Sequence, residues 1–292
     1  MISGRRIAVV IPAYNEERSI AAVLLRAEKH SDKVIVVDDG SNDFTGDIAK
    51  RMGATVLSHE SNLGKGAALR SGVEYAKNKV DFDILVTIDA DLQHDPADIP
   101  KVIAPIIDGS SDLVIGARPM DSSIMPRERA AGNRLFDSLS SGGVKLHDTQ
   151  SGFRAYSRDA LSKIKFVENG MAVESQTIMD AVNAGLRIKE VQVYTTYDGI
   201  VPKRNPANHF AQVFDYIITR TIAGSPLLYL GFPGIVAILL GVIAGIRVLS
   251  IFSSSHLIAA GTALVAVILI IVGAVMTSTS ILIKLLKVQA SS

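Results

Sequence analysis

The 292-residue chain contains no cysteine and no tryptophan, and it contains no acidic residue after Asp215. The absence of cysteine excludes disulfide bonds, cysteine-ligated zinc and thiol catalysis. A formal net charge of +1 argues against nucleic acid as the main partner. A tail of 77 residues without a carboxylate is not typical of a soluble surface. The charge distribution therefore predicts that the tail lies in a different solvent from the rest of the chain.

Two long uncharged runs occupy most of this acid-free tail. They cover Leu227–Ile246 and Leu257–Ile283, which are 20 and 27 residues long. An α-helix needs about 20 apolar residues to cross a hydrocarbon core of about 30 Å. We therefore predict a transmembrane hairpin over residues 226–292, with spans at about 227–247 and 257–283. The N-terminus enters a strand-like pattern at once, so we expect no secretory signal there.

Basic residues flank the two runs unevenly. Five of them lie before the first span or after the second, namely Lys203, Arg204, Arg220, Lys284 and Lys287. Between the two runs, the basic residues are only Arg247 and His256. By the positive-inside rule, we expect the N-terminal domain and the C-terminus in the cytoplasm. Two isolated spans also leave lipid-facing surface on which two copies of the chain could pair as a homo-oligomer.

Residues 1–206 show the pattern of an α/β domain. Short apolar and mostly β-branched runs cover Ile7–Ile11, Val34–Val37, Thr55–Leu57, Ile84–Ile88 and Leu113–Ile115. Helical patterns lie between them at Glu16–His30, Thr45–Met52, Gly66–Lys79 and Ala97–Ile107. Strands that are apolar on both faces and alternate with helices predict a mostly parallel sheet covered by helices.

The pattern is weaker after Arg118. It predicts helices at Glu128–Ser140 and Val173–Ala184 and a strand at Ile188–Tyr194. Residues 207–225 contain apolar side chains at helical spacing, which predicts an amphipathic helix. Because this segment directly precedes the first span, we expect it at the lipid interface. The alternative is a helix packed on the domain core.

Polar residues follow three of the predicted strands. They form Pro12-Ala13-Tyr14-Asn15-Glu16, Asp38-Asp39-Gly40-Ser41 and Asp89-Ala90-Asp91-Leu92-Gln93. Ligands of open parallel sheets bind at the carboxyl ends of the strands, so we expect these loops to meet in one crevice. Asp89, Asp91 and Gln93 could hold Mg²⁺ or Mn²⁺, which take oxygen ligands and share them with substrate phosphates. The alternative is a turn with helix-capping aspartates.

Five segments, taken in order, resemble the inverting family-2 glycosyltransferases with the GT-A fold. They are Ile11-Pro12-Ala13-Tyr14-Asn15-Glu16, Val37-Asp38-Asp39-Gly40-Ser41, Asn62-Leu63-Gly64-Lys65-Gly66, Asp89-Ala90-Asp91-Leu92-Gln93 and Asp148-Thr149-Gln150-Ser151-Gly152-Phe153-Arg154. The last segment narrows the resemblance to the dolichol-phosphate mannose synthase-like enzymes. The resemblance covers about residues 5–210 and implies a GT-A, Rossmann-like catalytic domain over residues 1–206. It implies transfer of one hexose from a nucleotide sugar to dolichyl or polyprenyl phosphate.

The resemblance also implies roles for individual residues. Those in the nucleotide pocket would be Pro12, Tyr14, Glu16, Asp39 and Asp89, and those at the metal would be Asp89, Asp91 and Gln93. The acceptor phosphate would be held by Arg118, Arg134, Ser138, Lys203 and Arg204. The catalytic residues would be Asp91, Arg118, Arg134 and Asp148. The basic loop departs from the usual Ser-Lys, since it contains Lys203-Arg204-Asn205.

The implied reaction needs no strong base. The second pKa of a phosphate monoester is about 6, so a polyprenyl phosphate is mostly dianionic at neutral pH and can attack a sugar carbon directly. The sequence shows no Ser-His-Asp arrangement, and we interpret its six histidines as ordinary polar positions because they lack metal-ligand spacing.

Several polar residues have a plainer interpretation. The arginines could be solvated surface charge. Asp148 and Glu174 could orient the acceptor or pair with these arginines, and a structural ion pair is an equal alternative for Glu174. Gly64-Lys65-Gly66 lacks the spacing of a P-loop or a dinucleotide site, so we interpret it as close packing at a helix start.

The sequence leaves the donor open and argues against two other functions. GDP-mannose is the first expectation for the donor, while UDP-glucose and UDP-N-acetylglucosamine remain alternatives because Arg118 to Arg129 departs from the mannose-type pattern. A processive polysaccharide synthase would carry Gln-x-x-Arg-Trp, and this chain has no tryptophan. A non-catalytic membrane scaffold of the same fold would have lost the metal-site residues Asp89, Asp91 and Gln93, which are all present.

Overall fold

The chain divides into two compact units, Met1–Phe214 and Asp215–Ser292. The structure is a computed structural model, and it describes residues 4–118, 146–170, 172–195, 219, 222, 224–256 and 259–290. The predicted helix at Glu128–Ser140 lies outside the described residues, as does nearly all of the predicted amphipathic helix.

A seven-stranded sheet forms the centre of the described part of the first unit, in the order β3-β2-β1-β4-β6-β5-β7. Its strands are β1 Ile7–Ala13, β2 Lys33–Asp38, β3 Thr55–Ser58, β4 Ile84–Thr87, β5 Leu113–Ala117, β6 Arg154–Ser157 and β7 Ile188–Gln192. Strand β6 runs antiparallel to β4 and β5, and the other neighbouring pairs are parallel. The prediction of a mostly parallel sheet is confirmed.

Helices cover both faces of this sheet. They are α1 Ile20–Ala27, α2 Thr45–Arg51, α3 Lys65–Lys79, α4 Ile99–Ile107, α5 Arg158–Lys163 and α6 Val173–Asn183. Successive side chains of a strand point to opposite faces, so the apolar residues of β1 divide between two cores. Ile7, Val9 and Ile11 pack with residues of α1 and α4, while Val10 packs with residues of α3.

One strand was not predicted and one helix start was wrong, and each has a physical reason. Strand β6 was not predicted, because Arg154-Ala155-Tyr156-Ser157 is not an apolar run, although Arg154 is fully buried. Helix α1 begins at Ile20 instead of Glu16. The amides of Asn15 and Glu16 donate to the hydroxyls of Ser41 and Thr45, so the segment before α1 is fixed to the loop after β2 and to the start of α2.

The second unit contains two long apolar helices. A π-helical turn at Leu227–Gly231 leads into α7 Phe232–Ser255, and α8 covers Ala260–Ala290. Both are long and apolar enough to cross a membrane, with mean hydropathies of 2.6 and 2.5, and most of their side chains are exposed. The two apolar helices predicted at about 227–247 and 257–283 are confirmed, and both are longer than predicted.

Glycines bring the backbones of α7 and α8 together. A Cβ on Gly234 would lie 2.8 Å from the carbonyl oxygen of Gly273, and one on Gly273 would lie 2.9 Å from the amide nitrogen of Ile238. Small residues are the usual means of close helix packing in membranes, where apolar burial does not drive association. The packing of these two helices therefore fits an antiparallel hairpin in lipid.

Candidate active site

The acidic loop after β4 lies beside a lysine that begins helix α3. The Lys65 ammonium nitrogen is 2.7 Å from Oδ1 and 2.9 Å from Oδ2 of Asp89, and it is 2.7 Å from Oε1 of Glu174. Burial, the largest single influence, would raise the pKa of Asp89, but the charge and the hydrogen bond of Lys65, with smaller contributions from His94 and Arg118, together lower it. Burial would likewise lower the pKa of Lys65, and the two carboxylates raise it instead.

Asp91 is the electrostatically unfavourable member of the acidic pair. Burial, and after it the neighbouring Asp89 carboxylate, raises the pKa of Asp91 to about 6. Glu16, at the end of β1, contributes in the same direction. Oδ1 of Asp91 accepts a hydrogen bond of 3.0 Å from the amide of Gln93. A carboxylate held close to other carboxylates would be stabilised by a bound cation.

The residues present fit a divalent cation that is shared with a substrate. The cluster contains three carboxylates, Asp89, Asp91 and Glu174, and one cation, Lys65. Among the described residues no group of three or more His, Asp or Glu side chains forms a complete metal site. Mg²⁺ is commonly bound by one or two carboxylates together with substrate phosphates. Asp89 and Asp91 would hold such an ion, with Gln93 as a further oxygen ligand. The assignment of all three residues to the metal stays a prediction.

A buried ion pair lies next to this cluster. Arg118 donates to the two carboxylate oxygens of Asp148 through Nε and Nη2, at 2.7 and 2.6 Å. Burial, the largest single influence, would raise the pKa of Asp148, but the charge and the hydrogen bonds of Arg118 together lower it. The Glu190 carboxylate accepts from the amide of Asp148 at 2.8 Å. The interpretation of Arg118 as solvated surface charge is wrong, because its side chain is only 15% exposed and is paired.

Arg154 fixes the loop that carries Asp148. Its guanidinium donates to the carbonyl oxygens of Thr149 and Ser151, at 2.7 and 2.8 Å, and to that of Glu174 at 2.9 Å. Gly152 lies where a Cβ would come within 2.6 Å of both Asp89 Oδ2 and Lys65 Nζ. The segment that resembles the dolichol-phosphate enzymes thus packs directly on the acidic loop of β4.

The predicted nucleotide residues fall into two groups. Pro12, Tyr14 and Glu16 are half-buried at the end of β1. Asp39 is only 3% exposed, and its carboxylate accepts from the amides of Leu63 and Gly64 at 3.0 and 2.8 Å. In this structure Asp39 therefore anchors the loop before α3, and its contact with a nucleotide stays a prediction.

A Ser-His-Asp chain, which the sequence does not reveal, continues from Asp39. Nδ1 of His59 is 2.7 Å from Oδ1 of Asp39, and its Nε2 is 2.9 Å from the Ser71 hydroxyl. The prediction that the protein has no Ser-His-Asp arrangement is wrong, and His59 is more than an ordinary polar position. Because Ser71 lies on α3 and Asp39 follows β2, this series of hydrogen bonds fastens α3 to the end of β2.

A second histidine lies beneath the site. His94 is 3% exposed, its ring is 5.6 Å from that of Phe153, and burial lowers its pKa to about 4. It is therefore neutral at physiological pH. The interpretation of Gly64-Lys65-Gly66 as close packing is confirmed for Gly66, whose Cβ would overlap the carbonyl oxygen of Glu168.

Sequence reasoning missed the position of Lys65, since only the fold brings it to Asp89. The carboxylate of Glu174 forms an ion pair with Lys65 instead of with one of the predicted arginines, and its role in orienting the acceptor stays a prediction. Four of the predicted acceptor residues, Arg134, Ser138, Lys203 and Arg204, lie outside the described residues.

A known structure supports the class to which the fold and the site point. Glucosyl-3-phosphoglycerate synthase from Mycobacterium tuberculosis was solved with Mn²⁺, UDP-glucose and phosphoglyceric acid. It is 28% identical, with a TM-score of 0.60, over 74% of this chain and 80% of that chain. The protein is thus a glycosyltransferase with a GT-A-like catalytic unit.

The family follows from the sequence match. The family model described as "Glycosyl transferase family 2" matches residues 8–165, and the chain belongs to this family. A relative in Methanococcus voltae, UDP-N-acetylglucosamine–dolichyl-phosphate N-acetylglucosaminyltransferase, is 35% identical over 67% of this chain and 88% of its own length. A dolichyl-phosphate hexose transferase of Haloferax volcanii is 36% identical over 64% of this chain and 81% of its own length. The predicted resemblance to the dolichol-phosphate mannose synthase-like enzymes is confirmed.

Proposed function

We propose that this protein transfers a single hexose from a nucleotide sugar to dolichyl or another polyprenyl phosphate, with inversion at the sugar carbon. The reaction takes place at the cytoplasmic face of a membrane. The observation that carries the proposal is that an acidic pair and an arginine–aspartate ion pair lie close together in the first unit. An acidic pair, Asp89 and Asp91, lies within electrostatic reach of the oriented Arg118–Asp148 pair.

The acidic pair suits the donor. Asp89 and Asp91 would hold a divalent cation together with the oxygens of the donor diphosphate. A bound divalent cation supplies Lewis-acid stabilisation of the negative charge that develops on the departing nucleoside diphosphate. Asp91, with its pKa raised to about 6, is the carboxylate that gains most from such a partner.

The ion pair suits the acceptor. An oxygen of the acceptor phosphate attacks the anomeric carbon, while the bond from that carbon to the nucleoside diphosphate oxygen breaks with its electron pair. Asp148 takes up two of the five N–H donors of Arg118 and fixes the plane of its guanidinium. The same group would bind a phosphate oxygen from that fixed position. Arg134, Ser138, Lys203 and Arg204 complete the acceptor site in this proposal.

The similarities favour UDP as the nucleotide of the donor. The M. voltae relative is named for UDP-N-acetylglucosamine, and the structural neighbour binds UDP-glucose. GDP-mannose, which the sequence resemblance places first, is the competing donor. All three therefore belong in the same assay.

The assay is lipid-linked product formation by the full-length protein in detergent micelles. Each radiolabelled donor is incubated with dolichyl phosphate and Mn²⁺ or Mg²⁺, and the label is measured in the organic extract. We expect one donor to give a glycolipid that is hydrolysed by mild acid. Label in a soluble acceptor such as phosphoglyceric acid, or in free sugar alone, would overturn the proposal, as would the absence of transfer from all three donors.

The orientation can be tested with a single thiol because the chain has none. His256 is an exposed residue between α7 and α8, so His256→Cys introduces a label site in the connecting loop. In intact bacterial cells that express this variant, we expect a membrane-impermeant maleimide to react from outside. Reaction only after cell lysis would reverse the proposed membrane face.

A further inference from the structure

Glu174 is a buried carboxylate outside all the motifs of the sequence. It lies in the first turn of α6 and is 3% exposed. Its two carboxylate oxygens accept no hydrogen bond of regular geometry from the described residues. The charge that offsets its burial is Lys65, at 2.7 Å. A buried carboxylate without such a partner would be strongly destabilising, so the Lys65–Glu174 contact is the reason that this position tolerates an acid.

The Lys65 ammonium is shared between two carboxylates with different tasks. It contacts both oxygens of Asp89, and these are the oxygens that a divalent cation would need. A lysine bound to Asp89 alone would compete directly with a metal ion for that carboxylate. Glu174 gives Lys65 a second anion at the same distance, so that the metal and Lys65 do not both depend on Asp89.

We propose that Glu174 is a positioning residue that retains the Lys65 ammonium and thereby leaves Asp89 available to a divalent cation. The inference rests on the metal-dependent part of the proposed function. Glu174 acts through Lys65 and touches neither donor nor acceptor. Its substitution therefore changes the affinity for the metal, and it does so only while Lys65 is present.

The test is a double-mutant cycle on Mn²⁺ binding. Full-length protein in detergent micelles is titrated with Mn²⁺ in the presence of UDP, and free Mn²⁺ is measured by electron paramagnetic resonance. The four proteins are the wild type, Glu174→Gln, Lys65→Met and the double variant. A cycle isolates the interaction between two residues from their separate effects.

We expect Glu174→Gln to weaken Mn²⁺ binding about tenfold, which corresponds to about 1.4 kcal/mol. We expect the double variant to bind Mn²⁺ at least as tightly as the wild type, because the competing lysine is gone. Asp159→Asn is the matched control, since it neutralises an exposed carboxylate that pairs with Lys163, and it should not change the affinity. Far-ultraviolet circular dichroism verifies that each variant is folded.

Two results would overturn the inference. One is wild-type Mn²⁺ affinity in Glu174→Gln, and the other is a double variant that binds as weakly as Glu174→Gln alone. Lys65→Met leaves Glu174 without its cation and is the variant most prone to misfold, but the comparison of the double variant with Glu174→Gln can still refute the inference without it. Glycolipid formation by the wild type tests the proposed function separately, so the two can fail independently. A wild type that makes glycolipid but binds no Mn²⁺ with UDP would refute only the inference and the metal site.

Discussion

The two acidic motifs at the ends of β2 and β4 have the same kind of residue and opposite energetic roles. Asp39, after β2, is 3% exposed and accepts hydrogen bonds from two amides and from His59. Asp91, after β4, has its pKa raised to about 6 by burial and by Asp89. One carboxylate stabilises a loop of the protein, and the other is unfavourable until something binds to it.

This difference indicates how the edge of the sheet is specialised. A carboxyl group whose pKa is raised in the folded state makes the ionised folded protein less stable at neutral pH. Such a group persists where a ligand uses it, because ligand sites are commonly less stable than the fold that holds them. The hydrogen bonds of Asp39 hold the loop before α3, and α3 in turn places Lys65 at Asp89. The stabilising motif thus supports the functional one.

Asp91→Asn gives the largest expected effect and tests the functional half of the comparison. Because the variant loses a charge that would hold the divalent cation, we expect glycolipid formation to fall about a thousandfold, as expected for several kcal/mol of lost stabilisation. The measurement is the initial rate at saturating Mn²⁺. Asp159→Asn removes an equivalent charge from an exposed pair and should keep the wild-type rate. Full activity of Asp91→Asn would refute the assignment of this residue to the metal.

Asp39→Ala tests the stabilising half. The substitution leaves the amides of Leu63 and Gly64 and one ring nitrogen of His59 without their acceptor. Each buried group left unpaired costs about 1–3 kcal/mol, so we expect the unfolding free energy to fall by about 3 kcal/mol or more.

Thermal unfolding of the full-length protein, followed by circular dichroism or calorimetry, measures the effect of Asp39→Ala. Tryptophan fluorescence and thiol-reactive dyes are unsuitable because the chain lacks both residues. Glu60→Ala, at an exposed acidic position of the loop between β3 and α3, is the control and should be nearly neutral. An Asp39→Ala protein as stable as the wild type would show that Asp39, like Asp91, is held mainly for a ligand.

The sequence was sufficient for features that depend on neighbouring residues. The strand at Ile7–Ala13 is a run of apolar residues buried on both faces, and Asp89 and Asp91 stand out because they lie within four residues of the end of another such strand. The same reasoning places two long apolar helices after Pro226. It fails at β6, where Arg154 is buried but satisfied by backbone carbonyl oxygens that only the fold provides.

The supporting residues of the site could not be predicted in this way. Lys65 meets Asp89 across 24 residues, and His59 meets Asp39 and Ser71 across 20 and 12 residues. No local spacing connects these positions, because helix α3 carries Lys65 and Ser71 to the sheet through tertiary packing. The motifs therefore indicate which residues meet the ligand, and they do not indicate which residues hold those in place.

The pH dependence of stability distinguishes Asp91 further. Its pKa rises from an ordinary value of about 3.9 to about 6 on folding, so its contribution favours the folded state below pH 4. That contribution is lost as the pH rises from about 4 to 6. In the presence of a chelator, we therefore expect the unfolding free energy of Asp91→Asn, relative to that of the wild type, to increase by about 2 kcal/mol as the pH rises from 4 to 6.

The comparison must be made between variants, since His94 has the opposite effect. Its pKa falls to about 4 on folding, so its contribution is present above about pH 6.5 and is lost as the pH falls toward 4. The difference between wild type and Asp91→Asn cancels this background. A difference that does not change between pH 4 and 7 would contradict the raised pKa of Asp91.

Ser71→Ala gives the smallest expected effect and tests whether Asp39 acts alone or through a chain. The hydroxyl of Ser71 is 2.9 Å from Nε2 of His59, so its loss should cost about 1 kcal/mol of unfolding free energy. Ser162→Ala, which removes an exposed hydroxyl bonded to the carbonyl oxygen of Asp159, is the matched control and should cost less. Because groups in one hydrogen-bond network are coupled, the cost of Ser71→Ala should shrink in the Asp39→Ala background, where His59 is no longer held at its other nitrogen. An equal cost in both backgrounds would mean that Asp39 and Ser71 stabilise the protein separately, and the end of β2 would then be fastened to α3 by the loop amides alone.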